Sequence, residues 1–238
     1  CTGKFTKKED AMKHIEAGAK HVIISAPGKG EMKTVVYGVN DNILSADDQV
    51  ISAASCTTNC LAPVLKCIND TFGIESGFMT TIHAYTNDQN TLDGSHKKGI
   101  ASRRGRTAAS NIVPASTGAA SAIGLVIPDL QGKLDGFAFR VPTDDGSVID
   151  LSLILKREVT KEEVNEAFVN NQNEVLKFTY DPIVSSDIIG NACGGLVDGL
   201  STKVLDINKR EIKVVAWYDN EYGYSAQMLR TMDKLLKL

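Results

Sequence analysis

No apolar run in the sequence approaches the ~18 residues that a membrane-crossing helix needs, so a bilayer span is not expected. Tryptophan occurs once and aromatic residues make up only 6% of the chain. The charges nearly cancel, leaving a net −3. Without a basic excess or interleaved aromatics, nucleic acid is disfavoured as a partner. Cysteine is sparse and odd in number: Cys1, Cys56, Cys60, Cys67 and Cys193. That pattern speaks against a secreted disulfide framework and for a reducing, cytoplasmic setting. Cys56 and Cys60 lack the further ligands that a metal site requires, so none is expected. There is no internal repeat and no low-complexity tract, and no signal peptide is visible at the polar start. The polar start, CTGKFTKKED, lacks an initiator Met and opens in mid-pattern, as expected of a chain cut from something longer.

What is present is a 238-residue chain that is 42% hydrophobic, enough for one large or two small cored domains. Thr6 to Glu9 reads as a capping box, followed by Ala11, Met12, Ile15 and Ala19 at helical spacing with Gly18 near the stop. Short apolar stretches at 21–25, 34–40 and 50–54 read as strands, and their alternation with a helix predicts the tail of a parallel α/β sheet. Ser55 then caps a helix over about 56–72, with Leu61, Val64, Leu65 and Ile68 on one face. Strands are expected at 77–85, 137–141, 148–156, 203–207 and 212–217. In the third of these, Ile149, Leu151, Leu153 and Leu155 recur at every second position, the mark of a half-buried antiparallel strand. Thr160 to Glu163 is a second capping box, opening a helix to about 171. The chain ends in a helix with Met228, Leu229, Met232, Leu235 and Leu236 on one stripe. Most of 86–119, rich in Asn, Ser, Gly, Lys and Arg, reads as functional loop. The fold class is therefore mixed α/β and α+β: a remnant of a Rossmann-type parallel sheet, then a domain with a mostly antiparallel sheet flanked by helices.

Cys56 stands where chemistry is easiest. It follows a strand and starts a helix, where free N–H groups and the dipole favour a thiolate, and Thr57 and Thr58 add hydroxyl donors. The plain alternative is packing, the ordinary role of a free cysteine and the one expected for Cys60 and Cys67. A thiol nucleophile needs a base and a donor to the developing oxyanion. Among the four histidines, His14 and His21 lie in the first helix and strand and His96 in a basic loop. His83 sits near the end of a strand among hydroxyl residues, in TTIHAYT, where α/β enzymes place catalytic groups. Lys97, Lys98, Arg103, Arg104 and Arg106 form a basic run that is either a solvated loop or an attractor of phosphorylated substrate. Thr117-Gly118 and Arg140 are further phosphate candidates.

At SAASCTTNCLAP the chain resembles phosphorylating glyceraldehyde-3-phosphate dehydrogenases. The likeness extends through TTIHAYTNDQ (80–89), SRRGRTAASNIVPASTGAA (102–120), GFAFRVPT (136–143), PIVSSDIIG (182–190) and WYDNEYGYS (217–225), all in that family's order. The resemblance implies that Cys56 attacks the substrate aldehyde to form a thiohemiacetal. His83 assists its deprotonation and, with the Cys56 backbone N–H, stabilises the oxyanion. Hydride passes to nicotinamide, leaving a thioester that inorganic phosphate attacks to release 1,3-bisphosphoglycerate, a step of glycolysis. It further implies that Thr86 and Arg140 hold the substrate's own phosphate, while Ser55, Thr57, Thr117 and Gly118 bind the attacking phosphate. Asn220 orients the nicotinamide amide, with Tyr224 nearby and Ser25 and Ala26 lining the same pocket. NAD is the implied cofactor and a homotetramer the implied assembly, with the 86–119 loop at a subunit interface.

Three departures from the family pattern qualify this. The Gly-rich dinucleotide fingerprint and its strand–helix units are missing from the sequence, so the chain alone is expected to bind cofactor poorly and to lack activity. Ala53 stands where the family usually has Asn, which removes a hydrogen-bonding side chain beside the nucleophile. Gly94-Ser95 stands where NAD-specific members usually have a larger apolar residue and Pro, which admits NADP as a second cofactor. The expected division is a nucleotide-domain remainder over 1–54, a catalytic domain over 55–219 and a terminal helix over 220–238 that folds back on the first part. Rivals are an erythrose-4-phosphate dehydrogenase, a cysteine acyltransferase or hydrolase, and a non-catalytic binding or adhesion role.

Overall fold

A computed structural model of the chain describes residues 4–92, 94–99 and 101–238. Cys1, counted above among the thiols, lies outside the described residues.

The first unit starts with helix α1 (Lys8–Glu16), then strands β1 (Val22–Ile24), β2 (Lys33–Thr34) and β3 (Val50–Ser52). The strands form a small parallel sheet in the order β1-β3-β2. Two expectations fail here. The Thr6 capping box does not form: Lys7 occupies the cap position without a side-chain bond, because the backbone of Thr6 to Lys8 pairs instead with Lys29. The stretch 35–40 is also not a strand. Asn40 folds it into a turn, accepting from Val36 N–H through Oδ1 (2.8 Å) and donating to Thr34 O (2.9 Å).

The second unit follows in chain order: α2 (Cys56–Phe72), β4 (Ile74–Ala84), β5 (Val113–Ser116), α3 (Ala119–Val126), β6 (Leu134–Val141), β7 (Ser147–Leu155), α4 (Lys161–Asn170), β8 (Leu176–Thr179), β9 (Gly195–Asp198), β10 (Lys203–Leu205), β11 (Asn208–Tyr218) and α5 (Tyr222–Leu236). Its eight strands run β5-β6-β4-β7-β11-β9-β8, with β10 paired to β11. Most neighbours are antiparallel; β4 with β6 and β8 with β9 are parallel. This is the mixed architecture expected. The sequence pattern does not reveal α3, β8 or β9, and β5 falls in the stretch expected to be loop.

Helix α2 is the central pillar. It begins at Cys56 because the Ser55 hydroxyl accepts from Thr58 N–H (3.2 Å). It ends at Gly73, whose φ of +71° suits a residue without Cβ. It runs unbroken through Pro63, which frees the carbonyl of Asn59. Gly194 packs close to that carbonyl, where a Cβ would come within 2.7 Å. Leu61, Val64, Leu65 and Ile68 are fully buried against Ile149, Leu151, Leu153 and Leu155 of β7 and their neighbours, one continuous core. The alternate burial along β7 is as expected.

The terminal helix corrects another expectation. Most of its apolar stripe faces outward: Leu229, Met232 and Leu236 are exposed and Met228 is half-buried, while of the stripe Leu235 alone joins Gly223, Gln227 and Thr231 on the inward face. The reason is polar. Gln227 Nε2 and Arg230 Nη1 both donate to Ala192 O (2.7 Å each), which turns this face toward the 190–195 loop. Leu235 packs with Val35, Leu44 and Ile51, Lys234 pairs with Asp41 (2.6 Å), and α5 thereby leans on the first sheet.

The second capping box is formed as the sequence predicts, with Thr160 and Glu163 exchanging bonds at the start of α4. Replacing Thr160 by Ala should cost about 1 kcal/mol in urea denaturation; an unchanged midpoint would show that the box adds nothing.

Candidate active site

Two elements bring a thiol and an imidazole together. Cys56 is the first residue of α2, and His83 lies one residue before the end of β4. Cys56 Sγ is 3.4 Å from His83 Nε2. Cys56 is half-buried and His83 buried. The backbone just ahead of Cys56 is unusual: Ala54 has a φ of +58°, a left-handed conformation that costs an Ala roughly 1–2 kcal/mol. It is held there by hydrogen bonds. Ala54 N–H donates to Ser52 Oγ (3.1 Å), and Ala54 O accepts from Tyr224 OH (3.1 Å). Ala53, where a hydrogen-bonding side chain was expected to be lost, is buried with its carbonyl bonded to Asn59 Nδ2 (2.9 Å).

Arg140 stands beside His83 because β6 pairs in parallel with β4 in the register His83–Arg140. Its Nη1 lies 2.9 Å from Ala84 O, 3.1 Å from Thr86 Oγ1 and 2.9 Å from His83 Nδ1. Nδ1 is also 2.8 Å from Ala84 O. One tautomer accommodates this crowding with every oxygen served. The two Nη1 protons are matched by Ala84 O and Thr86 Oγ1. His83 Nδ1–H then donates to Ala84 O, whose two lone pairs take both donors. In that tautomer Nε2 is unprotonated, with its lone pair toward the sulfur, the arrangement a general base needs.

Electrostatics favour a neutral pair at rest. Burial, and then the Arg140 charge, bring the His83 imidazole down to about 3. Burial pushes the Cys56 thiol up, against the opposing pull of Arg140 and the Thr57 hydroxyl and N–H. This differs from the helix-start expectation of a lowered thiol. The helix end and the cation do act on the sulfur, but desolvation outweighs them.

The remaining candidate residues take these places. Thr86 is bonded to Arg140, and its hydroxyl also meets Asp88, which pairs with Arg104 of the basic run. The Ser55 hydroxyl is engaged in the α2 cap and with Thr58 Oγ1 (2.8 Å). The Thr57 hydroxyl is buried against Tyr218 OH (3.0 Å). Thr117 and Gly118 lie at the start of α3, where Thr117 Oγ1 accepts from Ala119 N–H (3.2 Å). Ser25, Ala26 and Tyr224 line one cavity of about 530 Å³, together with Phe5, Ile24 and Glu221. Asn220 sits next to this cavity in sequence, and its Nδ2 is buried with no partner. The largely apolar wall of this cavity suits a flat ring such as a dinucleotide's nicotinamide, and Asn220, whose amide donor is orphaned, precedes its lining residue Glu221 in the chain. Among the described residues, no group of three His, Cys, Asp or Glu is placed to hold a metal ion, and no helix is long and apolar enough to cross a membrane.

Three residues that the sequence reading passed over organise the site. Tyr218 OH bonds both Thr57 Oγ1 and Thr81 Oγ1 (3.0 and 2.8 Å), and its ring lies edge-on to His83 at 5.8 Å. Asp219 accepts from the N–H groups of Gly190, Glu221 and Tyr222 (2.7, 2.9 and 2.7 Å) and so sets the entry into α5. Ser147 bonds Ala84 N–H and Asn220. Ser147 could have been found as the polar residue on the buried face of β7.

The residue range 55–220 matches the family model "Glyceraldehyde 3-phosphate dehydrogenase, C-terminal domain". The chain is 55% identical over 239 residues to the glyceraldehyde-3-phosphate dehydrogenases of Clostridium pasteurianum and Clostridium acetobutylicum, and 54% identical over 240 residues to that of Streptococcus pyogenes. In each comparison all of this chain is covered, and 71% of the relative.

The lowered His83 sets an acid dependence. Between about 6.5 and about 3 the unfolded chain holds a proton on this residue that the folded one refuses, so stability falls as pH drops through that window. His83→Asn should lose stability less steeply than wild type there, measured by denaturation at stepped pH; parallel curves would contradict the assignment.

Proposed function

The chain belongs to the glyceraldehyde 3-phosphate dehydrogenase family, and from that premise we propose that it is the catalytic part of an enzyme that oxidises and phosphorylates glyceraldehyde 3-phosphate to 1,3-bisphosphoglycerate. The observation that carries this reading is the 3.4 Å approach of Cys56 Sγ to His83 Nε2, with Arg140 and Thr86 directly behind the imidazole.

In this mechanism Cys56 attacks the aldehyde carbon as His83 Nε2 takes the thiol proton, so the thiolate exists only as the new C–S bond forms. That fits a resting pair kept neutral by burial. The Cys56 backbone N–H at the open end of α2 and the protonated His83 stabilise the thiohemiacetal oxygen. NAD, or NADP, supplies the hydride acceptor when bound, with Asn220, Tyr224, Ser25 and Ala26 as the residues of this chain that would hold its nicotinamide end. The resulting thioester on Cys56 is cleaved by inorganic phosphate, which regenerates the thiol. Arg140 and Thr86 bind the phosphate of the aldehyde; Ser55, Thr57, Thr117 and Gly118 receive the attacking phosphate. The hydroxyl of Thr57 is tied to Tyr218, and that bond fixes its direction beside the sulfur.

For this task the chain divides into a nucleotide-domain part over 1–54, a catalytic part over 55–219 and a terminal helix over 220–238. We place the enzyme in the cytoplasm as a homotetramer. Consistent with association, the outer sheet face exposes Phe78 by 67% and Phe137 by 46%, apolar side chains that a neighbouring subunit would cover.

The test uses the full-length protein. NADH formation should require both glyceraldehyde 3-phosphate and inorganic phosphate. Cys56→Ser should abolish it, and His83→Asn should lower kcat by roughly 10²–10⁴-fold. Aldehyde oxidation indifferent to phosphate, or activity that survives Cys56→Ser, would overturn the proposal.

A further inference from the structure

The inward positions of β7 are Ser147, Ile149, Leu151, Leu153 and Leu155, all fully buried. Ser147 alone in this series is polar, and it stands at the end that reaches the site. There the β4–β7 ladder stops at Ile82–Val148, which leaves Ala84 N–H to find a partner outside the strand pairing. Ser147 Oγ provides it, accepting at 3.1 Å. A hydroxyl has one proton to give, and here it goes to Asn220 Oδ1 at 2.6 Å.

The consequence falls on the other end of the Asn220 amide. With Oδ1 engaged by Ser147, Nδ2 points away from it, and that nitrogen is buried without a partner. A buried amide donor kept in one direction and left without a protein partner carries an unmet hydrogen bond that a carbonyl oxygen brought against it would satisfy. Ala84 also carries the carbonyl that receives His83 Nδ1 and Arg140 Nη1. One hydroxyl therefore links the residue that anchors the base to the residue that would meet the cofactor.

We propose that Ser147 is a positioning residue: it holds the Asn220 amide with its NH₂ toward the nicotinamide carboxamide oxygen and registers it against the His83 end of β4. This inference rests on the dehydrogenase reading above. It predicts a defect confined to the nicotinamide half of the cofactor, because an amide directed at the carboxamide would have no partner in ADP-ribose.

The test is calorimetric titration of the full-length protein with NAD and, separately, with ADP-ribose, which lacks nicotinamide. Ser147→Ala should weaken NAD binding about 10-fold, while ADP-ribose affinity stays within about twofold. A merely structural role would move both ligands together. Equal losses for both, or no change in NAD affinity, would overturn the proposal. Should Ser147→Ala fail to fold, Ser147→Cys carries the test: it is near-isosteric and a weaker donor, and a loss of about threefold for NAD alone is expected. If the wild-type protein binds neither ligand and forms no NADH, the dehydrogenase reading itself has failed. If it binds both and Ser147→Ala does too, only the role of Ser147 is lost.

Discussion

The site depends on the contact between Cys56 Sγ and His83 Nε2, and that contact is set by two elements that cannot move independently. Helix α2 is buried on nearly every side, so its first residue has a fixed position. Strand β4 lies between β6 and β7; its last residues are held by the ladder to β6 on one edge and by the Ser147 hydroxyl of β7 on the other. An interior packed this densely transmits small displacements instead of absorbing them. The left-handed Ala54, the Ser55 cap and the glycine stop at Gly73 all serve to begin and end α2 at defined places.

Drawing the pair largely out of water has an electrostatic consequence. Burial disfavours the thiolate and the imidazolium alike, and Arg140 pulls the two in the same sense, lowering both. The cation helps a charge on sulfur and penalises one on the ring. The resting state that satisfies all of these is thiol and neutral imidazole, with the tautomer fixed from behind by Ala84 O. Arg140 then has two tasks: it completes the hydrogen bonding at Ala84 O, and with Thr86 it faces the position proposed for the substrate phosphate.

Much of this was legible in the sequence. Ser55 ahead of an apolar stripe marked α2 to its ends, the strict alternation of β7 marked a half-buried strand, and Thr160–Glu163 marked α4. What stayed hidden has physical reasons. Helix α3, AASAIGLV, is apolar all round and carries no side-chain cap, so neither periodicity nor a start signal reveals it. The stretch 34–40 looks like a strand until Asn40 bends it, a local side-chain effect that pattern does not encode. The stripe on α5 is a true amphipathic pattern turned the wrong way, because Gln227 and Arg230 bind a loop carbonyl on the inner face. In the site, Cys56 and His83 were visible from helix-start and strand-end placement. Tyr218, Asp219 and Ser147 were not, since their roles exist only once distant strands are paired.

The central claim is that His83 waits as a neutral ring with its Nε2 lone pair on the sulfur. Nitrogen NMR of ¹⁵N-histidine-labelled protein, with His83 assigned by its loss in His83→Asn, measures this directly. The account predicts a protonated Nδ1 and a bare Nε2 that persist across neutral pH. A ring protonated on both nitrogens, or one carrying its proton on Nε2, would contradict it.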